Sequence, residues 1–88
     1  MTSPRVGAIL AELANARDEL VAHLAEVVQG LAAARSAQAV AAMAGLPPDP
    51  ERADMVATLE AEEQRARAAL ASIRDALDRA TRDAGPIQ

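Results

Sequence analysis

The sequence predicts an all-α fold: two long helices folded back on one another as an antiparallel coiled-coil hairpin, with a second copy completing a four-helix bundle. Three observations carry this. Ala, Leu, Glu and Arg, all good helix formers, dominate the chain. Apolar residues recur at the alternating four- and three-residue steps of a heptad. One cluster of helix-breaking residues, Gly45-Leu46-Pro47-Pro48, divides the pattern into two blocks.

The first helix opens at Ser3-Pro4, a cap residue followed by proline at the first helical position, and runs to about residue 44. The turn occupies residues 45–49. Asp49-Pro50-Glu51 repeats the cap-then-proline grammar with an acid in the first turn, and the second helix runs to about residue 84, where Gly85-Pro86 stops it. At ~1.5 Å per residue these helices are about 60 and 50 Å long. No stretch alternates as a strand would, and nothing marks a second domain or a repeat.

The seams can be read residue by residue. In the first helix the heptad steps select Val6, Leu10, Leu13, Arg17, Leu20, Leu24, Val27, Leu31, Ala34, Gln38 and Ala41. In the second they select Val56, Leu59, Glu63, Ala66, Leu70, Ile73, Leu77, Ala80, Ala84 and Ile87. The expected hairpin core is Leu13, Leu20, Leu24, Val27, Leu31, Leu59, Leu70, Ile73 and Leu77. Folding about the prolines places Leu10 opposite Ala84, Leu13 opposite Ala80, Leu20 opposite Ile73, Leu24 opposite Leu70, Val27 opposite Ala66 and Ala34 opposite Leu59. Arg17 and Glu63 interrupt the seams. Each can lay its stem along the groove, with Asp78 or Asp18 neutralising the arginine and Arg35 or Arg67 the glutamate. Such residues fix register or oligomer state at a cost in stability.

The first helix has a second stripe: Ala11, Ala14, Asp18, Val21, Ala25, Val28, Ala32, Arg35, Ala39 and Ala42. Alanine alone is a good surface helix former. Val21 and Val28 are not, because β-branched side chains gain nothing on an exposed helix. The matching flank of the second helix, with Glu60, Arg67, Arg74 and Thr81, is polar. A wide apolar stripe implies burial on two sides, so Ala14, Val21, Ala25, Val28 and Ala32 form the expected interface with a second copy or another helical protein.

Composition bounds the function. The 88 residues include 24 Ala, 9 Leu, 6 Val, 3 Ile and 3 Met, with no aromatic residue and no cysteine. A compact core from such side chains is marginal at this length, so association is the expected source of added stability. The formal net charge of −4 argues against nucleic acid and against anionic membrane surfaces. No run is apolar enough to span a membrane. Nine Arg without Lys, beside so much Ala, fits a GC-rich genome such as an actinobacterium's. The start lacks a cleaved-signal pattern, so a cytoplasmic location is expected, with secretion by a route without a cleaved signal left open.

Enzymatic machinery is not expected. There is no cysteine nucleophile, one histidine, and four isolated glycines that build no phosphate-cradling loop. His23 has Glu19 and Glu26 near its helical face, but the spacing is not that of di-iron bundles, and Ala69, Ala71 and Ser72 are the expected neighbours across the seam. No metal or cofactor is predicted. Glu60, Glu62 and Glu63 read as a solvated acidic cluster near Arg65 and Arg67. Gly30 reads as a tolerated helix defect, or as a point of close approach or bending.

In architecture, from Ser3 to Ala84, the chain resembles the small helical hairpins of the Trp-x-Gly family exported by type VII secretion systems. The resemblance implies a hairpin dimer and export. At the turn this chain has Gly45-Leu46-Pro47-Pro48, and its tail, Thr81-Arg82-Asp83-Ala84-Gly85-Pro86, lacks the family's tyrosine-containing export signal. No functional residue is carried over. The primary expectation is a non-enzymatic interaction module, an adaptor, scaffold or assembly subunit. An exported hairpin, or its partner, is the alternative.

Overall fold

The computed structural model describes residues 4–84, without the side chains of Pro4 and Ala84. It contains two helices, α1 (Pro4–Met43) and α2 (Pro50–Ala84), packed side by side as a hairpin, and no strand among the described residues. Ser3 as a cap, Gly85-Pro86 as a stop, and the seam position Ile87 lie outside the described residues. The rod measures 67 × 19 × 14 Å, with a radius of gyration of 19.6 Å. A compact domain of this length would have a radius of gyration of about 12 Å.

The turn is built by two capping devices. Gly45 takes φ 75°, a left-handed conformation that costs glycine little. Its amide donates to the Ala42 carbonyl at 3.1 Å, and the Leu46 amide donates to the Ala41 carbonyl at 3.0 Å. These are the two bonds of a Schellman motif, and they satisfy carbonyls the helix end would leave unpaired. Asp49 then caps α2: its Oδ1 accepts from the Glu51 amide at 3.0 Å, and its carbonyl accepts from Ala53 at 3.0 Å. Glu51 in the first turn and Arg82 in the last both complement the helix dipole.

The core is thin and central. Val27, Leu31, Ala34, Ala66 and Leu70 are buried, with Leu31 only 2% exposed. Leu13, Leu20, Leu24, Leu59, Ile73 and Leu77 are half-buried, as are Arg17 and Glu63. Glu63 is neutralised by Arg67 on its own helix at 2.8 Å, and Arg17 by Asp18 at 3.3 Å. Asp78 instead pairs with Arg82.

Three contacts between the helices set the register. His23 meets Glu62 on one flank, Arg35 meets Glu60 on the other, and a methyl group placed on Gly30 would stand 3.7 Å from Leu59 Cδ1. Together they bring Leu31 level with Leu59, Leu24 with Ala66, Leu20 with Leu70 and Leu13 with Leu77. This corrects the alignment drawn from the sequence, which set Leu24 opposite Leu70, by about one helical turn. Two physical reasons account for it. Helices that run in opposite senses must match a three-residue step on one with a three-residue step on the other, so a first-type heptad position faces a fourth-type one. The sequence alignment paired like with like. The turn is also asymmetric: Pro47, Pro48 and Asp49 share a concavity with Gln38 and Ala41, so the chain returns alongside the end of α1 before α2 begins.

Candidate interaction surface

The most distinctive surface of the molecule is the second stripe of α1. Val21 is 45% exposed and Val28 39%, large fractions for β-branched residues. Ala25 and Ala32 beside them are exposed, and Ala14 is half-buried. On this flank Arg35 meets Glu60, and by the same offset the α2 positions bordering Val21 and Val28 are Arg74 and Arg67, so the second helix edges the stripe with polar residues and leaves its outer side open. Asp18 and Arg35 are the charged residues of the stripe. Each has a neighbour within the chain: Asp18 is 3.3 Å from Arg17, and Arg35 is 3.2 Å from Glu60. Near the turn, Val40, Met43, Leu46 and Met55 are exposed as well.

The opposite flank is polar. His23 Nε2 lies 2.9 Å from Glu62 Oε1, and Arg65 donates to Glu62 Oε2 at 2.6 Å. Hydrogen bonds from His23 and then Arg65, reinforced by the arginine's charge, hold the Glu62 carboxyl below the usual glutamate range. This node differs from the sequence expectation for His23. The histidine reaches Glu62 across the hairpin, and neither Glu19, Glu26 nor Ser72 is its partner. The signal was present but hidden in the register: His23 and Glu62 both precede a seam position, and such flanking positions meet in an antiparallel pair.

Further ion pairs line α2, with Asp75 bonded to Arg79 at 2.6 Å and Asp78 to Arg82. They follow the i, i+4 acid-then-base order that supports an exposed helix. Among the described residues, no three His, Cys, Asp or Glu side chains gather as metal ligands would. No helix of the described residues is long and apolar enough to cross a membrane.

Two concavities stand out among the described residues. One, of about 170 Å³, lies at the turn among Gln38, Ala41, Ala42, Leu46, Pro47, Pro48, Asp49, Arg52 and Ala53. The other, of about 220 Å³, lies at the opposite tip among Val6, Ile9, Ala80 and Asp83. Both are open and mainly apolar. Neither gathers the nucleophile, base and oxyanion donors that acyl or phosphoryl transfer needs.

Comparison with protein-family models, curated proteins and solved structures gives no match for this chain.

Proposed function

We propose that this chain is a non-enzymatic helical interaction module, an adaptor, scaffold or assembly subunit, which self-associates through α1 into a four-helix bundle. The observation that carries the reading is the exposure of Val21 and Val28 in an alanine stripe on a helix whose other side already packs in the hairpin. The surface area supports it. The chain exposes 6458 Å², whereas a compact monomer of this mass exposes about 4,900 Å². The excess of about 1,500 Å² exceeds the roughly 800 Å² that each partner contributes to a standard stable interface. Sedimentation over a wide concentration range tests the proposal. A dimer that dissociates on dilution is the expected result, and a monomer at high micromolar concentration overturns it.

The alternative is a type VII-like exported hairpin or its partner. The two-helix hairpin architecture is what favours it. Recovery of the protein from the medium of a host carrying an intact secretion system, and its absence when that system is deleted, would support export.

A further inference from the structure

The stripe of α1 carries information about orientation. Its charged residues are one acid, Asp18, and one base, Arg35. Between them lie the exposed Val21, Ala25, Val28 and Ala32. The two charges therefore bracket the apolar centre symmetrically, about the level between residues 26 and 27. Both retain room for another partner, since their side chains are 70% and 56% exposed.

We propose that two copies pair through α1 in the antiparallel sense, with Asp18 of each chain against Arg35 of the partner subunit. This rests on the self-association proposed above and adds its direction and register. Turning a second α1 about the central level sets Val21 opposite an alanine, Ala32 of the partner subunit, and Ala25 opposite Val28 of the partner subunit. Large side chains then meet small ones in every central layer, as interdigitating packing requires. The same operation closes an attractive ion pair at both edges of the apolar centre. A parallel pair in register would do the reverse. Valine would meet valine, Asp18 would meet a second Asp18, and Arg35 a second Arg35. Exposed ion pairs individually contribute little. Orientation, however, is decided by the difference between two attractions and two repulsions, and like charges juxtaposed across an interface count against a wrong arrangement.

The absence of cysteine makes the test direct, because an introduced thiol is the only one present. Ala11 and Ala42, both exposed on the stripe, would face one another across the antiparallel pair, whereas two copies of either position would lie about 45 Å apart. Ala11→Cys and Ala42→Cys proteins are prepared separately, shown to sediment as dimers, then oxidised alone and after mixing and re-equilibration. Disulfide formation in the mixture and in neither protein alone is the expected result. A disulfide within either protein alone overturns the orientation while leaving self-association intact. Dimers that cross-link under none of these conditions overturn the register. Monomers throughout overturn self-association itself. As a second readout, Asp18→Arg should weaken dimerisation roughly tenfold, and Asp18→Arg with Arg35→Asp should restore it. Failure of the double variant to recover would count against the antiparallel pairing.

Discussion

His23 and Glu62 clasp the two helices together, with Nε2 and Oε1 2.9 Å apart across the hairpin. Hydrogen bonds from His23 and then from Arg65, reinforced by the arginine's charge, keep this carboxylate ionised below the 4.5 of an ordinary glutamate. A carboxyl whose pKa is depressed by folding contributes stability above its unfolded value, and that stability is lost as pH falls through the folded value. The hairpin should therefore lose part of its thermal stability as pH drops below 4.5. Glu62→Gln should show a lower melting temperature at neutral pH and a shallower fall on the acid side. Parallel acid-side curves for the two proteins would show that Glu62 is energetically silent.

Gly30 should be improvable. The methyl group of alanine would meet Leu59 Cδ1 at 3.7 Å, an ordinary van der Waals separation, and nothing nearer. Mid-helix glycine costs roughly 0.5–1 kcal/mol relative to alanine. Gly30→Ala should raise stability by about that amount in urea unfolding. A loss would mean that the helices need the closer approach glycine allows.

The observed register makes Leu31 the centre of the hairpin, level with Leu59. Leu31→Ala should cost roughly 2–4 kcal/mol, as truncation of a buried leucine does. A cycle combining it with Leu59→Ala should show coupling of at least about 0.5 kcal/mol. Urea titrations at fixed protein concentration measure both. Additivity of these two changes would argue against the register.

Gly45 should resist substitution. At φ 75° any residue with a Cβ is strained, so Gly45→Ala should destabilise by about 1–2 kcal/mol. The contrast with Gly30→Ala is itself a check: the same change should have opposite signs at the two sites.

Val21 and Val28 separate hairpin from assembly. Replacing both with glutamate places the new acids on the exposed flank that Arg74 and Arg67 border, so the single hairpin should change by less than about 0.5 kcal/mol per site. The dimer would bury those charges against an apolar face and should split. Light scattering after size-exclusion, with circular dichroism on the resulting monomer, reads both effects. An unchanged mass would show that the stripe is solvated.

Much of this fold was legible because its signals are local. Asp49-Pro50 and Gly45 act through bonds to residues two to four positions away, and heptad steps name the side of a helix that Leu24 or Leu70 occupies. Register is different. It depends on how Pro47 and Pro48 carry the chain back beside α1, and a shift of one turn keeps every leucine on the seam. The His23–Glu62 clasp was hidden for the same reason, since a partner across the hairpin can be named only when the register is known. The exposed stripe was legible from Val21 and Val28, and the proposed direction of pairing rests on the two charges, Asp18 and Arg35, placed around them.

Val6 and Asp83 line the same concavity at one tip, while Met43, 82% exposed, stands at the far end beside the bend. The hairpin is therefore a lever with both described ends of its chain at one pole. Any cargo fused at either end would be carried at that pole, on a rod 67 Å long. A pair arranged head to tail would carry one such cargo at each pole, turning a short chain into a spacer between two attached bodies.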